Sequence, residues 1–281
     1  MTLLSEFAHR ARWRAANAAW RLRCRVQRQP LYRFRLPNGL RFDYPLRSEI
    51  GRAMFLINRF EVDELRFVAR FLRPGMTFLD VGANGGLFSL VAARAVGASG
   101  LVHAFEPAKM EFELLQHNLA LNGLKNVMAN QVALSDQIGE AQFAICRGGA
   151  YNSLGRNNLT DQKIVEWQAV RTTTLDAYIA AQKLGSIHLL KIDTEGAELM
   201  VLRGSAQLLR APDAPVVLCE FSDLTTAGLG YSTADLWAFF TDLGFQLFQY
   251  LRHKLTLANR KDWHEYDNLI AVRDPAILAS V

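Results

Sequence analysis

The sequence has few cysteines and no long apolar run. Its three cysteines, Cys24, Cys146 and Cys219, form no CxxC pair and stand at no ligand spacing with histidine, which argues against a disulfide framework or a zinc site. No apolar segment approaches the roughly 20 residues that cross a bilayer. Because half of the 281 residues are hydrophobic, we expect a globular protein with a large core in a reducing compartment, the cytoplasm.

Lysine is absent from the first 35 residues, which hold nine arginines and one acid, Glu6. This segment carries a charge of +8, and the other 23 bases and 26 acids leave −3 for the rest of the chain. Its composition favours a helix without the apolar region of a secretory signal. Five arginines lie within about 60° on a helical wheel, whereas Arg12 and Arg23 lie opposite: Arg10, Arg14, Arg21, Arg25 and Arg28. A solvated helix is one interpretation, and peripheral contact with an anionic membrane at the inner face, or with an acidic partner, is the other.

Two short alternating segments, LYRFRL and LRFDYP, flank the turn residues Pro37, Asn38 and Gly39. This pattern predicts a small hairpin. An amphipathic helix follows from Glu61 and is stopped at Pro74. We therefore predict an extension over residues 1–60, built from the basic helix and the hairpin, and a main domain over 61–281.

Strand and helix signals alternate through this main domain. Short apolar strands are predicted at 77–81, 101–105, 127–133, 187–192 and 216–221, with an extra strand AQFAIC at 141–146. Helices are predicted at 86–95, 109–121, 175–183 and 197–209, and the stretch 147–163 is polar. Strands so continuously apolar are buried on both faces, which is typical of a parallel sheet covered by helices.

The C-terminal part has a different pattern. After a helix at 234–243, the segments FQLFQYL and NLIAVR are joined by a loop too short and polar for a crossover helix, so they should pair antiparallel. The predicted fold is α/β, a Rossmann-like, doubly wound, seven-stranded sheet with an antiparallel C-terminal hairpin, as in class I methyltransferases.

The first strand leads into the turn FLDVGANGGLFSL at 78–90, the place where open α/β sheets bind ligands. A dinucleotide fingerprint aligned on Gly82 would need glycine at Asn84 and Leu87, and no GK[ST] follows for a phosphate loop, so an NAD oxidoreductase is disfavoured. The turn D-x-G-x-G-x-G of S-adenosylmethionine enzymes fits better. Asp80, Gly82 and Gly86 match it, and Asn84, which tolerates positive φ, replaces the middle glycine.

Two further features fit this cofactor. The helix after the turn offers free N–H groups to a carboxylate. Glu106 ends the second strand, where an acid can accept hydrogen bonds from both ribose hydroxyls. A glycine turn needed only for close packing is the competing interpretation.

Several segments resemble the FkbM-type methyltransferases: FLDVGANGG at 78–86, FEP at 105–107, VALSDQIGEAQF at 132–143, LDAYI at 175–179 and LLKIDTEGAELMVLRG at 189–204. The resemblance covers about 61–221. It implies an O-methyltransferase that uses S-adenosylmethionine and acts on a hydroxyl of a sugar, a glycan or a natural product. It implies cofactor contacts at Asp80, Gly82, Ala83, Asn84 and Glu106, and more weakly at Ala133, Ser135 and Asp136, the last of which is equally well explained as a turn former.

Strands four and five bring Lys191, Asp193 and Glu220 to the functional edge as catalytic candidates. A hydroxyl acceptor must lose its proton, and Asp193 is the preferred base, or else holds the cofactor ammonium and the acceptor hydroxyl. Lys191 has a simpler interpretation as the counter-charge of an acid. Asp193 and Glu220 also stand where metal-dependent O-methyltransferases place their ligands, so Mg²⁺ is an open but disfavoured alternative.

Acceptor binding is predicted at Glu195 and in the polar loop 147–158, through Tyr151, Asn152, Ser153 and Arg156. A plain surface loop, and a helix-dipole role for Glu195 and Glu198, explain these residues equally well. His253 and His264, in the polar C-terminal segment with Trp263 and Tyr266, could reach an acceptor, but a surface position is favoured. We expect His103 and His188 to be packed within strands.

Two other functions remain as alternatives. An RNA ribose methyltransferase would agree with the basic pI, but the main domain at −3 makes a poor polyanion surface and only Lys191 accompanies the two acids. A non-catalytic module that binds cofactor and docks through its basic N-terminus is the second. A small hydroxyl-bearing substrate, without nucleic acid, is the favoured partner.

Overall fold

The computed structural model describes residues 3–27, 30–36, 39–57, 60–149, 151–155 and 164–280. The chain divides into two compact units, residues 1–62 and 63–281. Within these described ranges, no helix combines the length and the apolar character that a membrane span requires.

The first unit contains α1 (Leu3–Val26), the strands β1 (Tyr32–Arg35) and β2 (Arg41–Tyr44), and α2 (Glu49–Ile57). The predicted basic helix and hairpin are confirmed, because β1 and β2 pair antiparallel with Tyr32 opposite Tyr44. Across the hairpin, Arg33 forms a two-pronged ion pair with Asp43, each N···O distance being 2.7 Å. The turn residues Pro37 and Asn38 lie outside the described residues.

The second unit alternates strands and helices. Its helices are α3 (Val62–Phe71), α4 (Leu87–Val96), α5 (Lys109–Leu121), α6 (Leu175–Gln182), α7 (Glu198–Arg203), α8 (Ala206–Arg210), α9 (Asp223–Thr226) and α10 (Thr233–Asp242). Its strands are β3 (Thr77–Val81), β4 (Leu101–Phe105), β5 (Val127–Asn130), β6 (Ala133–Leu134), β7 (Gly139–Cys146), β8 (Ser153–Leu154), β9 (Ile164–Thr173), β10 (Leu189–Ile192), β11 (Val216–Phe221), β12 (Gln246–Leu251), β13 (Lys254–Leu257) and β14 (Asp267–Val272).

The main sheet has the order β13-β12-β14-β11-β10-β3-β4-β5. The five strands from β11 to β5 are parallel, and β14 and β12 are antiparallel, which confirms the predicted doubly wound sheet and its C-terminal hairpin. The strand order reverses between β3 and β10, so the turn after β3 stands at the switch point where such sheets bind ligands.

The sheet has eight described strands where the sequence predicted seven. The additional strand, β13, pairs with β12 through a two-residue turn, Arg252 and His253. Both turn residues have positive φ, 49° and 67°, which is the geometry of a tight hairpin turn. Neither residue is the asparagine or glycine that normally marks such a turn, so the sequence gives no indication of β13.

A separate sheet of four strands has the order β6-β9-β7-β8. The predicted strand AQFAIC is part of β7, which pairs antiparallel with β9 along most of its length. No strand was predicted at β9, because most of its side chains are polar or exposed. Even Val165 and Trp167 of this strand are 58% and 38% exposed.

The core lies on both faces of the main sheet. Successive residues of a strand belong to different hydrophobic clusters. Phe78 and Leu218 pack on one face of the sheet, and Leu79 and Val217 pack on the other. The helix predicted at 197–209 is interrupted at Gly204, where a side chain would overlap the carbonyl oxygen of Ser135. The interruption therefore lets α7 and α8 pack closely on the loop after β6.

Candidate functional site

The turn after β3 is a series of left-handed residues. Gly82, Asn84 and Gly86 have φ values of 80°, 48° and 90°. Glycine takes this conformation without strain, and asparagine tolerates it better than other side chains. Asn84 is also tied by its side chain, whose Oδ1 accepts from the Gly85 N–H at 2.7 Å and whose Nδ2 donates to the Gly149 carbonyl at 3.2 Å.

Close contacts explain why two of these positions hold glycine. A methyl group at Gly82 would overlap the carbonyl oxygen of Asp193, and one at Gly86 would come within 2.6 Å of Leu115 Cδ1. The Asp193 N–H in turn donates to the Val81 carbonyl at 3.1 Å. The ends of β3 and β10 are thus locked together.

Glu106 connects this turn to the end of β4. Its Oε2 accepts from the Asn84 N–H at 2.8 Å, and its Oε1 accepts from the Ala108 N–H at 2.9 Å. The N–H groups of Gly82 and Ala83 both donate to the Phe105 carbonyl, at 3.1 and 2.9 Å. Each carboxylate oxygen can accept more than one hydrogen bond, so both oxygens of Glu106 retain the capacity to bind further donors.

Burial controls the ionisation of Glu106. Its removal from solvent, and then the neighbouring Glu111 carboxylate, raise the pKa of Glu106 to about 8, although the Ala108 and Asn84 N–H groups act in the opposite direction. Burial likewise raises the pKa of Glu111. The Glu111 carboxylate lies against Gly149, where a Cβ would come within 2.2 Å of Glu111 Oε1. Sequence reasoning overlooked Glu111, because an acid in the first turn of α5 is typical of helix starts.

We predict that Glu106 makes the stability of the protein pH-dependent. Below pH 4.5, the ordinary pKa of a glutamate, Glu106 is protonated in both the folded and the unfolded protein. Between pH 4.5 and about 8, only the folded protein keeps this proton. The free energy of unfolding should therefore fall as pH rises through this range, by up to roughly 1.4 kcal/mol per pH unit. Urea unfolding across this pH range should show a smaller slope for Glu106→Gln than for the parent protein.

The matched control for this prediction is Glu113→Gln, an exposed acid on the same helix as Glu111. This variant should keep the slope of the parent. An unchanged slope in Glu106→Gln would contradict the prediction.

Asp80 lies fully buried at the start of the turn. Its Oδ2 accepts from Ser89 Oγ at 2.6 Å, while its Oδ1 has no hydrogen-bond donor among the described residues. Burial raises the pKa of Asp80, with the nearby Lys191 ammonium opposing this effect. Because an unsatisfied buried acceptor is costly, Oδ1 is suited to accept a donor from a bound ligand.

Lys191 and Asp193 form an ion pair at the end of β10. Lys191 Nζ donates to Asp193 Oδ2 at 2.9 Å, and the side chains are 3% and 19% exposed. The ammonium also lies 4.5 Å from the centre of the Phe88 ring. The lysine is thus buried in the sheet between two partners, and the carboxylate that it orients remains partly exposed at the strand end.

The loop after Asp193 is fixed by Glu198. Its Oε1 accepts from the N–H groups of Thr194 and Gly196 at 2.8 and 3.1 Å and from Thr194 Oγ1 at 3.0 Å. Tyr231 adds hydrogen bonds to Glu198 Oε2 and to the Gly196 carbonyl. Glu198 therefore organises a loop rather than acting only on a helix dipole, and Glu195, with φ of 55°, lies before the helix begins.

Glu220 and Glu195 lie near a tyrosine that sequence reasoning did not select. The pKa of Tyr266 is raised first by burial and then by the charge of Glu195, with a smaller contribution from Glu220, while a hydrogen bond with Tyr151 lowers it. Tyr266 nevertheless remains 47% exposed. Three separate segments, around residues 151, 195 and 266, thus meet beside the end of β11.

The remaining predicted residues have distinct surroundings. Ala133 and Ser135 are buried in or after β6, and the Ser135 hydroxyl donates to the exposed Asp136 at 3.2 Å. Asn152 and Ser153 are also buried, and Asn152 Oδ1 accepts from the Cys146 N–H at 2.7 Å. Arg156 lies outside the described residues.

The histidine expectations held only in part. His264 was expected at the surface, but it is 2% exposed and its Nδ1 lies 2.7 Å from Asp267 Oδ2. Its backbone exchanges hydrogen bonds with buried Asp223, so main-chain contacts draw the segment inward despite its polarity. His253 is exposed and His103 is buried against Tyr178, as predicted. His188 Nδ1 accepts from the Thr77 N–H at 3.0 Å.

Among the described residues, no three or more His, Cys, Asp or Glu side chains are grouped so as to hold a metal ion. Of the two candidate ligands, Asp193 directly follows β10, and Glu220 lies near the end of the adjacent strand β11.

Sequence comparison relates this chain to known proteins. The sequence model of the Methyltransferase FkbM domain matches residues 80–247. The 31-O-demethyl-FK506 methyltransferase FkbM of Streptomyces tacrolimicus is 31% identical over 198 residues, which cover 60% of this chain and 74% of that protein. Methyltransferase sdnD of Sordaria araneosa is 31% identical over 192 residues, covering 58% and 73%.

Among solved structures, the methyltransferase FkbM of Methylobacillus flagellatus superposes with a TM-score of 0.45 at 13% identity. The superposition covers 78% of this chain, which spans 52% of that one.

Proposed function

From the premise that this chain belongs to the FkbM methyltransferase family, which uses S-adenosylmethionine, we propose that it methylates a hydroxyl oxygen of a sugar, glycan or natural-product acceptor. The observation that carries the proposal is the Lys191–Asp193 ion pair at the end of β10, whose carboxylate acts electrostatically on Asp80 at the start of the turn. A carboxylate in that position is the group that a hydroxyl acceptor requires, because its proton must be removed.

The described residues fit the cofactor. Glu106 can accept hydrogen bonds from two ribose hydroxyls while it also accepts from the Asn84 and Ala108 N–H groups. The buried Asp80 Oδ1 has no hydrogen-bond donor among the described residues. We assign Ala83 and Asn84 to the same site because they continue the turn. Ala133, Ser135 and Asp136 follow β5 at the same sheet edge and are proposed to line the adenine.

When bound, S-adenosylmethionine supplies an electrophilic methyl group on a positively charged sulfur. Asp193 Oδ2 is held by Lys191, so Oδ1 is the oxygen that we assign to accept the acceptor's proton. Lys191, nearly buried, fixes the direction of that carboxylate. This orientation aligns the acceptor oxygen for an in-line displacement, where alignment supplies much of the rate.

The acceptor side combines two acids and two tyrosines. Glu195 and Glu220 act electrostatically on Tyr266, and Tyr266 forms a hydrogen bond with Tyr151. Carboxylates accept hydrogen bonds from hydroxyls, and tyrosine rings offer an apolar face with a polar tip. Such a surface suits a neutral, hydroxyl-rich molecule. An acidic surface repels a polyanion such as RNA, and the name of the Streptomyces relative likewise denotes a hydroxyl acceptor.

The test supplies the protein with cofactor carrying a ¹³C-methyl group and with fractionated extracts of its own organism. Label should enter the glycan or small-molecule fraction, and NMR should show a methyl bound to oxygen. Label in RNA would favour the ribose alternative. Binding of cofactor without any transfer would favour a non-catalytic module. The same reaction with EDTA should proceed undiminished, since we do not assign Mg²⁺ to Asp193 and Glu220.

A further inference from the structure

One side of α1 packs within the first unit. Trp20 Nε1 donates to the Leu46 carbonyl at 3.0 Å, and the Asn17 amide oxygen accepts from Arg52 at 3.1 Å. One helical turn further on, the Cys24 carbonyl accepts from Arg47 at 2.7 Å. Positions 17, 20 and 24 fall on one face of a helix, so these contacts fix which face of α1 points inward.

The opposite face of α1 is an exposed apolar strip. At about 100° per residue, Ala15, Ala19, Leu22 and Val26 fall within roughly 60° of one another and lie nearly opposite the packed face. All four are exposed, with Leu22 at 62% and Val26 at 58%. Burial of leucine and valine away from water is favourable, yet both side chains remain more than half exposed.

Arginines border this strip. Arg14, Arg21 and Arg25 are exposed and fall within about 40° of one another along one side of it. Arg23 lies on the other side, 5.2 Å from the centre of the Tyr32 ring. No acidic residue occurs between positions 13 and 26, so the charge on this face is uniformly positive.

We propose that this face of α1 docks on an anionic lipid bilayer, with the helix parallel to the membrane surface. The strip of Ala15, Ala19, Leu22 and Val26 would enter the boundary between headgroups and acyl chains. The flanking guanidinium groups would bind lipid phosphates, reached by their long apolar stems.

Charge and polarity distinguish this partner from two others. A nucleic acid would match the arginines but would leave Leu22 and Val26 in water. A second copy of the chain, paired through the same strip, would bring like-charged arginine rows together, which is unfavourable. A bilayer with anionic headgroups satisfies both features. This inference does not depend on the proposed acceptor.

The test is co-sedimentation of the full-length protein with vesicles of phosphatidylcholine alone and of phosphatidylcholine mixed with phosphatidylglycerol. Binding should require the anionic lipid and weaken with salt. The variant with Arg14, Arg21 and Arg25 all changed to Gln should bind roughly 100-fold more weakly, about fivefold for each arginine. The control changes Arg94, Arg210 and Arg260, exposed residues of the second unit, to Gln and should bind like the parent.

A second variant separates insertion from charge. Leu22→Gln with Val26→Gln keeps every arginine, and it should lose most of the binding that persists in high salt. Circular dichroism of each variant must match the parent. Absence of parent binding to anionic vesicles, equal binding by the Arg14, Arg21 and Arg25 variant, or retention on RNA without retention on vesicles would each overturn the proposal.

Discussion

Gly82→Ala should abolish binding of S-adenosylhomocysteine and lower the free energy of unfolding by about 3 kcal/mol or more. Two costs combine. A side chain is strained at the φ of 80°, and its methyl group would overlap the Asp193 carbonyl oxygen, which is backbone and cannot rotate away. Relief requires β3 and β10 to separate at their ends, where the proposed cofactor and catalytic groups meet. Calorimetric titration and urea unfolding measure the two effects.

Gly244→Ala is the matched control. Gly244 has the same φ of 80°, but no atom lies within 4 Å of the position that its Cβ would take. This variant should lose only the roughly 1–2 kcal/mol of left-handed strain and keep its ligand affinity. Equal effects from the two variants would show that conformation alone, and not the contact with Asp193, makes Gly82 necessary.

Asp193→Asn should lower kcat by roughly 10²- to 10⁴-fold, the usual contribution of a positioned base. The amide keeps the shape of the side chain and its carbonyl can still accept from Lys191 Nζ, so only the capacity to take a proton is removed. Affinity for S-adenosylhomocysteine should change little. Steady-state kinetics with the acceptor found by ¹³C labelling, together with calorimetry, separates these quantities.

Asp262→Asn, at an exposed acid outside the site, should leave both quantities unchanged. A kcat retained in Asp193→Asn would contradict the assignment of this residue as base. In that event Glu195 and Glu220 would be the acids to test next, because both lie beside Tyr266.

The sequence predicted most clearly those parts of the fold that local patterns determine. The bounds of β3, β4, α5 and β11 agree with the predicted segments, because each is a short buried run, or an amphipathic one, between turn residues. The family motifs 78–86 and 189–204 likewise lie on adjacent strands, β3 and β10. The pairing that unites them was implied by the fold class.

Other features depend on contacts between distant segments. Position 204 must be glycine because the Ser135 carbonyl lies against it. Strand β13 forms because a two-residue turn of unusual composition folds it back on β12. No periodicity could show that His264 is buried, since main-chain hydrogen bonds with Asp223 hold it there. The contacts of Tyr266 with Tyr151 and Glu195 likewise join segments that lie far apart along the chain.

Calorimetric titration of S-adenosylhomocysteine into the full-length protein, in two buffers of different ionisation enthalpy near neutral pH, tests most directly whether Glu106 and its turn hold the cofactor. The buried Glu106, whose pKa is raised to about 8, should give up its proton when ribose hydroxyls donate to it. We predict that binding releases close to one proton. Glu113→Gln should leave this proton release unchanged, whereas Glu106→Gln should abolish it and lose most of the affinity. Two results would contradict the assignment of Glu106 to the cofactor site. One is the absence of binding, and the other is binding that releases no proton and is equally strong in Glu106→Gln.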